Sequence, residues 1–332
     1  MSGYNEAFDF EHHKKEFESL IRHLTQAHAA SFVDGAHVLD LGGGAGMHAG
    51  FLATSASRVT TVDIIDPNVT YAGEFLKLLR EKHIRNGIEL DISKLEFHRA
   101  DAMDLPYKDG LFDLVVSFNA FEHIPDPGRG LQEALRVTRP QGFVFITFDP
   151  IWTADTGSHF ASFVPEPWAH LVLGAEDFLD RMKQSGAEKW QMEEFRYAMN
   201  RVRLGQFEYI FECLQSEGYG EVVCKNMWSG TSHPDNNKHP NLQLAQELGY
   251  SKNELLARGL AYLIRRSAKP VSHSTLVGFP AVSPNRLNDH ETGVCPLGGH
   301  AVGGGIVPGR LAVFFASFSV LIRRLVDFIL SR

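Results

Sequence analysis

The run Val38-Leu39-Asp40-Leu41-Gly42-Gly43-Gly44-Ala45-Gly46 constrains this chain more than any other stretch. An apolar strand that must be buried leads straight into a glycine turn, and an acid, Asp40, stands near its carboxyl end. Glycines in such a turn let the backbone approach a ligand where a Cβ would collide with it. The spacing is Asp-x-Gly-x-Gly-x-Gly, whereas the dinucleotide pattern Gly-x-Gly-x-x-Gly, counted from Gly42, fails at Met47. Taken alone, the turn is equally a tight strand-to-helix connection with no ligand, so later residues have to decide.

They follow in order. Val59-Thr60-Thr61-Val62 is a second, β-branched strand that ends on Asp63 and Ile64, about 20 residues past the glycines, where a carboxylate accepts hydrogen bonds from both ribose hydroxyls. A third strand, Leu95 to Ala100, ends on Asp101 and Ala102. A fourth, Phe112 to Phe118, leads into Asn119-Ala120-Phe121-Glu122-His123-Ile124-Pro125-Asp126. Leu135 to Gly142 is expected to close a helix on a Pro/Gly turn before a fifth strand, Phe143 to Phe148. Tyr219 to Trp228 and Gly259 to Arg266 read as strands six and seven, with a capping-box pattern at Ser251 to Glu254 between them.

From Val38 to about Phe148 this series resembles the class I S-adenosylmethionine-dependent methyltransferases, of the type whose fourth strand is followed by Glu-His-Ile/Val-x-Asp. The resemblance implies an α/β fold: a Rossmann-like doubly wound sheet of seven strands with the last antiparallel, plus a helical insertion after strand five and a C-terminal tail. It implies S-adenosylmethionine as cofactor, with Asp40, Gly42, Gly43, Gly44, Gly46, Asp63, Ile64 and Asn119 around it. Asp101 would then accept the adenine amino hydrogens, and the amide of Ala102 would reach a ring nitrogen. Two rivals stand beside this reading. A Rossmann-type NAD(P)-dependent oxidoreductase shares the strand order and Asp63 but leaves Asp101 and the segment Asn119 to Asp126 without a role, and a noncatalytic methyltransferase-like partner protein would bind no cofactor.

Methyl transfer is an in-line displacement, so the protein mainly aligns donor and acceptor and keeps water out. For a hydroxyl acceptor a base helps, and His123 and His159 are the candidates because imidazole titrates near neutrality. A helix-start histidine that only shapes the cleft is an equal reading of His123, and Glu122 would orient it or meet the amino acid part of the cofactor.

An N-terminal helical cap, residues 1–34, is expected to cover the cleft with an amphipathic helix over Phe8 to His28. Its His12, His13, His23 and His28 read as solvated positions, and no metal site is expected. The methyltransferase domain follows over 35–269, with an acceptor-site insertion at 150–204, just past strand five, where open α/β sheets bind ligands. Trp152, Trp168, Asn200 and Arg201 are the residues expected to hold the acceptor, although aromatics at this spacing serve equally as core. Residues 270–309, rich in Gly, Pro, Ser and Asn, read as a flexible linker. Residues 310–332 read as an apolar, amphipathic helix too short to span a bilayer; it suits an in-plane membrane helix anchored by Arg310, Arg323 and Arg324, or packing on protein.

Net charge is −8 with no dense Lys/Arg block, which argues against nucleic acid and leaves a small-molecule, glycan or lipid-linked acceptor. Cys213, Cys224 and Cys295 show no Cys-x-x-Cys spacing, and Met1 to Phe10 carries no basic and apolar leader pattern. The expected location is therefore cytoplasmic, with peripheral contact at the inner membrane face.

Overall fold

The computed structural model of the chain describes residues 6–70 and 73–271. The expected helix 310–332, and the linker 270–309 beyond Val271, lie outside the described residues. Among the described residues no helix is long and apolar enough to cross a membrane.

Seven strands form one sheet: β1 (His37–Leu41), β2 (Arg58–Asp63), β3 (Leu95–Arg99), β4 (Phe112–Phe118), β5 (Thr138–Phe148), β6 (Gly220–Ser229) and β7 (Ala257–Arg266). Their order is β3-β2-β1-β4-β5-β7-β6, and only β7 runs antiparallel, to both β5 and β6. This is the doubly wound sheet implied by the sequence. Residues 38–41 of β1 are buried without interruption, as a central parallel strand covered on both faces requires. The edge strand β6 is buried only at Gly220 and leaves the rest of its length half-exposed or exposed.

Two helical layers cover the sheet. On one face lie α1 (Glu6–Gln26), α2 (Met47–Leu52) and, after the single turn α3 (Pro67–Thr70), α4 (Phe75–Arg85). Leu20 and Leu24 of α1 are fully buried there, each contributing about 1.5–3 kcal/mol of burial free energy. The other face carries α5 (Pro127–Val137) and α9 (Leu204–Ser216), where Phe211 stacks on Tyr262 of β7 at 3.6 Å between ring centroids. Between β5 and α9 the chain forms α6 (Ala169–Val172), α7 (Ala175–Gln184) and α8 (Lys189–Tyr197). These share a third apolar core with Leu242, Ala245 and Leu255, from α10 (Pro240–Glu247) and α11 (Lys252–Leu256). The insertion after β5 is therefore completed by the β6–β7 connection.

One local expectation is corrected. The helix before strand five stops at Val137 and the strand begins at once, Thr138 pairing with Phe112, so Arg139 to Gly142 form an irregularity within β5 and not a closing turn. Gln141 adopts φ +62° there, and a Cβ on Gly142 would lie 2.5 Å from the carbonyl oxygen of Asp113. The tight backbone approach accounts for the glycine.

Candidate active site

The sheet order reverses between β1 and β4, and at such a switch point the loops leaving the two strands part to open a crevice at their carboxyl ends. The glycine turn after β1 sits at that place. Gly42 and Gly43 donate their amides to the carbonyl of Val62, at 2.8 and 3.2 Å. A Cβ on Gly42 would lie 2.4 Å from the Cβ of Ala120, and one on Gly43 would lie 2.3 Å from Oδ2 of Asp40. Gly44, at φ +52°, has nothing within 4 Å of its would-be Cβ, so the turn is packed from below and open at Gly44. Gly46 caps α2 at φ +79°.

Asp40 is fully buried beneath the turn, and neither carboxylate oxygen has a hydrogen-bond partner. Burial, and then the charge of Asp63, push its pKa up to about 7. An orphaned buried carboxylate is costly unless something positive completes it. Asp63, at the end of β2, accepts the amides of Gly44 at 3.0 Å and Ile65 at 2.9 Å, while burial raises its pKa. The carbonyl of Ile64 accepts Nε of Arg99. Asp101, past β3, is exposed; its Oδ1 accepts the amide of Met103 at 2.8 Å, and Ala102 is half-buried beside it. The three acids thus stand at the carboxyl ends of three adjacent strands. An open glycine cradle, an uncompensated buried carboxylate and these flanking acids fit a nucleoside cofactor that carries positive charge.

Past β4, Asn119 adopts φ +48°, donates its backbone amide to Thr147 and its side-chain amide to the carboxylate of Glu16 on α1. Glu122 is buried with both oxygens unpartnered, and burial followed by the charges of Asp149 and Glu16 pushes its pKa up to about 8. His123, next along, reaches the solvent-accessible cleft. Its Nδ1 lies 3.0 Å from the carbonyl of Ala198; a carbonyl only accepts, so Nδ1 carries the proton and Nε2 is the accepting nitrogen. Crowding by protein, then the ring of His159, push its pKa down to about 4. His159, at φ +64° and also open to solvent, bonds Pro150 through Nε2 at 3.2 Å and is likewise lowered by desolvation. The structure brings these two rings together. Backbone strain at Asn119 and His159 gathers on the same side, as it does at functional sites.

The residues expected to hold the acceptor are placed otherwise. Trp168 is fully buried in the core of the insertion and donates its indole N–H to Leu255, so it supports the segment and touches no acceptor. Trp152 is 7% exposed, wedged edge-on against His170 and under the guanidinium of Arg201, whose carbon sits 4.8 Å from the indole centroid. Arg201 also donates to the carbonyl of Phe195, and burial lowers its pKa to about 10. The side chain of Asn200 donates to the carbonyls of Phe121 and Ile124 and accepts the amide of Val202, which latches the loop carrying His123. Trp168 and Asn200 thus spend their polar side-chain atoms on protein backbone, whereas Arg201 is only half-buried.

Several polar contacts of α1 and α2 escaped the sequence. Glu16 bonds His48 at 2.9 Å as well as Asn119, and His13 lies beside both. His23, expected in solvent, is buried, with Nδ1 on Ser19 and Nε2 on Asn226, because α1 packs on the sheet along its whole second half. The i, i+3 spacing of His13 and Glu16 was visible, but nothing local announced His48.

A family model described as "Methyltransferase domain" matches residues 39–146, the span from β1 to near the end of β5. A relative from Mycobacterium sp. (strain KMS), named as an uncharacterized methyltransferase, is 31% identical over 42% of this chain and 49% of its own length. One of the same description from Mycobacteroides abscessus is 34% identical, again over 42% of this chain and 49% of the relative. The chain spans about half the length of the curated relatives it matches. A solved S-adenosylmethionine dependent methyltransferase from Mesorhizobium loti is similar over 70% of this chain and 92% of that chain, at 17% identity and a TM-score of 0.41. Over residues 39–146, this chain is similar to the methyltransferase-domain family.

Proposed function

We propose that the whole chain works as an S-adenosylmethionine-dependent methyltransferase that methylates a hydroxyl of a small-molecule, glycan or lipid-linked acceptor. The observation that carries this reading is His123: a neutral imidazole in the cleft whose Nδ1 is engaged by Ala198, so that Nε2 is aimed as a proton acceptor. When bound, the cofactor supplies a methyl group on a sulfonium, electrophilic enough to be taken by an oxygen nucleophile. Gly44 leaves room for it, Asp63 suits the ribose hydroxyls, Asp101 and Ala102 suit the adenine edge, and the carboxylate of Asp40 compensates positive charge from below. Ile64 and Asn119 line the same strand ends. Nε2 of His123 takes the hydroxyl proton, and His159 closes the acceptor side of the ring, edge to face. General-base assistance of this kind is worth about 10²–10⁴ in rate.

The experiment is methyl transfer from label-bearing S-adenosylmethionine to a panel of sugars, phenols and polyprenyl-linked saccharides, alongside primary amines. Label in a base-stable ether, reduced about 100-fold or more in His123→Ala, is the expected outcome. Label confined to amines, or undiminished in His123→Ala, refutes the hydroxyl reading.

A further inference from the structure

We propose that His13, Glu16 and His48 form a binding site for a first-row transition metal ion of the zinc class, which fastens α1 to the helix that follows the glycine turn. The three donor atoms all lie within 4.8 Å of one another. His13 and Glu16 stand one turn apart on α1, the spacing that places two side chains on one helical face. His48, the second residue of α2, approaches them from across the helix pair.

The set is already half assembled. Oε2 of Glu16 meets Nε2 of His48 at 2.9 Å, and the rings of His13 and His48 are 4.9 Å apart between centroids. His48 is buried and stacked on Phe118, at 3.9 Å and 13° between planes, so packing fixes the direction of its ring. The other oxygen of Glu16 is held by the side-chain amide of Asn119, the kind of outer contact that orients a ligating carboxylate. Zinc–nitrogen bonds of ~2.0–2.1 Å with tetrahedral angles need donors about 3.3 Å apart, which a small turn of the half-exposed His13 ring toward the Glu16–His48 pair would supply.

Ligand chemistry narrows the ion. Two imidazoles and one carboxylate suit zinc, cobalt, nickel or copper; magnesium and calcium prefer all-oxygen shells. Three protein ligands leave a fourth position, and Nε2 of His12, 3.4 Å from Oε1 of Glu16, stands near enough to take it in place of water. Because Glu16 also holds Asn119, the ion would couple the N-terminal helix to the cofactor crevice. This site does not depend on the methyltransferase reading, since none of its donors is asked to touch cofactor or acceptor.

The test uses the full chain after chelator treatment, titrated with Zn²⁺ by calorimetry and with Co²⁺ by visible absorption. One ion per chain is expected, with the intense visible bands of four-coordinate Co²⁺, and His13→Ala should weaken binding tenfold or more while circular dichroism stays unchanged. Glu16→Gln, which keeps the shape of the side chain and removes its charge, should weaken it similarly. His48 is buried and its removal endangers folding, so the half-exposed His13 carries the decision. Absence of stoichiometric uptake, or an affinity unchanged in His13→Ala, overturns the site and reduces the cluster to hydrogen bonds that pin α1.

Discussion

The carbonyl oxygen of Ala198 lies 3.0 Å from Nδ1 of His123, so the residue that closes α8 dictates which nitrogen of that imidazole carries its proton. The insertion thereby sets the chemistry of a loop 75 residues away in sequence. His159, from the start of the same insertion, sets the remainder, its ring meeting that of His123 at 89° with centroids 5.4 Å apart.

A ring-nitrogen NMR titration reads this arrangement directly. His123, held down to about 4 by the protein crowded around it and by His159, should stay in one neutral tautomer, protonated on Nδ1, as pH falls through 6.5 to 5. His159→Ala removes a neighbour whose positive charge opposes protonation, so the His123 pKa should rise. Titration near 6.5 in the wild type, unmoved by His159→Ala, would show that the two rings are not coupled.

Glu122 gives a prediction at the opposite end of the pH scale. Its pKa is raised from 4.5 to about 8, so its contribution to stability is complete below 4.5 and lost as pH rises through 8. Glu122→Gln cannot ionise and escapes that loss. Thermal melts should show the variant gaining on the wild type between pH 6 and pH 9, by on the order of a few kcal/mol at pH 9. A constant difference across this range would mean that Glu122 finds a partner in solution.

Two adjacent glycines should behave differently. In Gly43→Ala the new methyl meets Asp40 at 2.3 Å and Thr61 at 2.6 Å, so both the melting temperature and cofactor affinity should drop. In Gly44→Ala the methyl points into open space and the left-handed φ of +52° costs about 1–2 kcal/mol, so the fold survives while binding of S-adenosylhomocysteine weakens at least tenfold. Equal binding by Gly44→Ala and wild type would show that the ligand does not use the open side of the turn.

Local sequence carried the sheet and the first turn because β1, β2, β4 and β5 each hold a stretch of apolar or β-branched residues that the fold buries almost without a break. Asp40, Asp63 and Asp101 were legible for the same reason, each being an acid placed by the end of a strand. Residue type failed where direction mattered. Trp168 and Asn200 have the chemistry to hold a ligand, yet one fills a core and the other satisfies two buried carbonyls, a choice settled by α11 and the β4 loop. The contact between Glu16 and Asn119 joins residues 103 apart, beyond any periodicity.

The apolar run Leu311 to Leu330, with Arg323 and Arg324, supports a proposed role at membrane surfaces. Full-length protein should sediment with anionic liposomes, less so at high salt, and a chain ending at Cys295 should remain in the supernatant while binding cofactor normally. Equal behaviour of the two forms would leave the run as a protein-packing element.

The most direct measurement is calorimetric titration of the full chain with S-adenosylhomocysteine, S-adenosylmethionine and NAD⁺, repeated with Asp63→Ala. One molecule of either methionine-derived ligand should bind per chain, NAD⁺ should not, and Asp63→Ala should weaken binding by about 1–3 kcal/mol, since a charged acceptor for two hydroxyls is lost. Binding of NAD⁺ in place of the adenosylmethionine pair, or affinities identical in wild type and Asp63→Ala, would contradict the cofactor assignment on which the proposed methyl transfer rests.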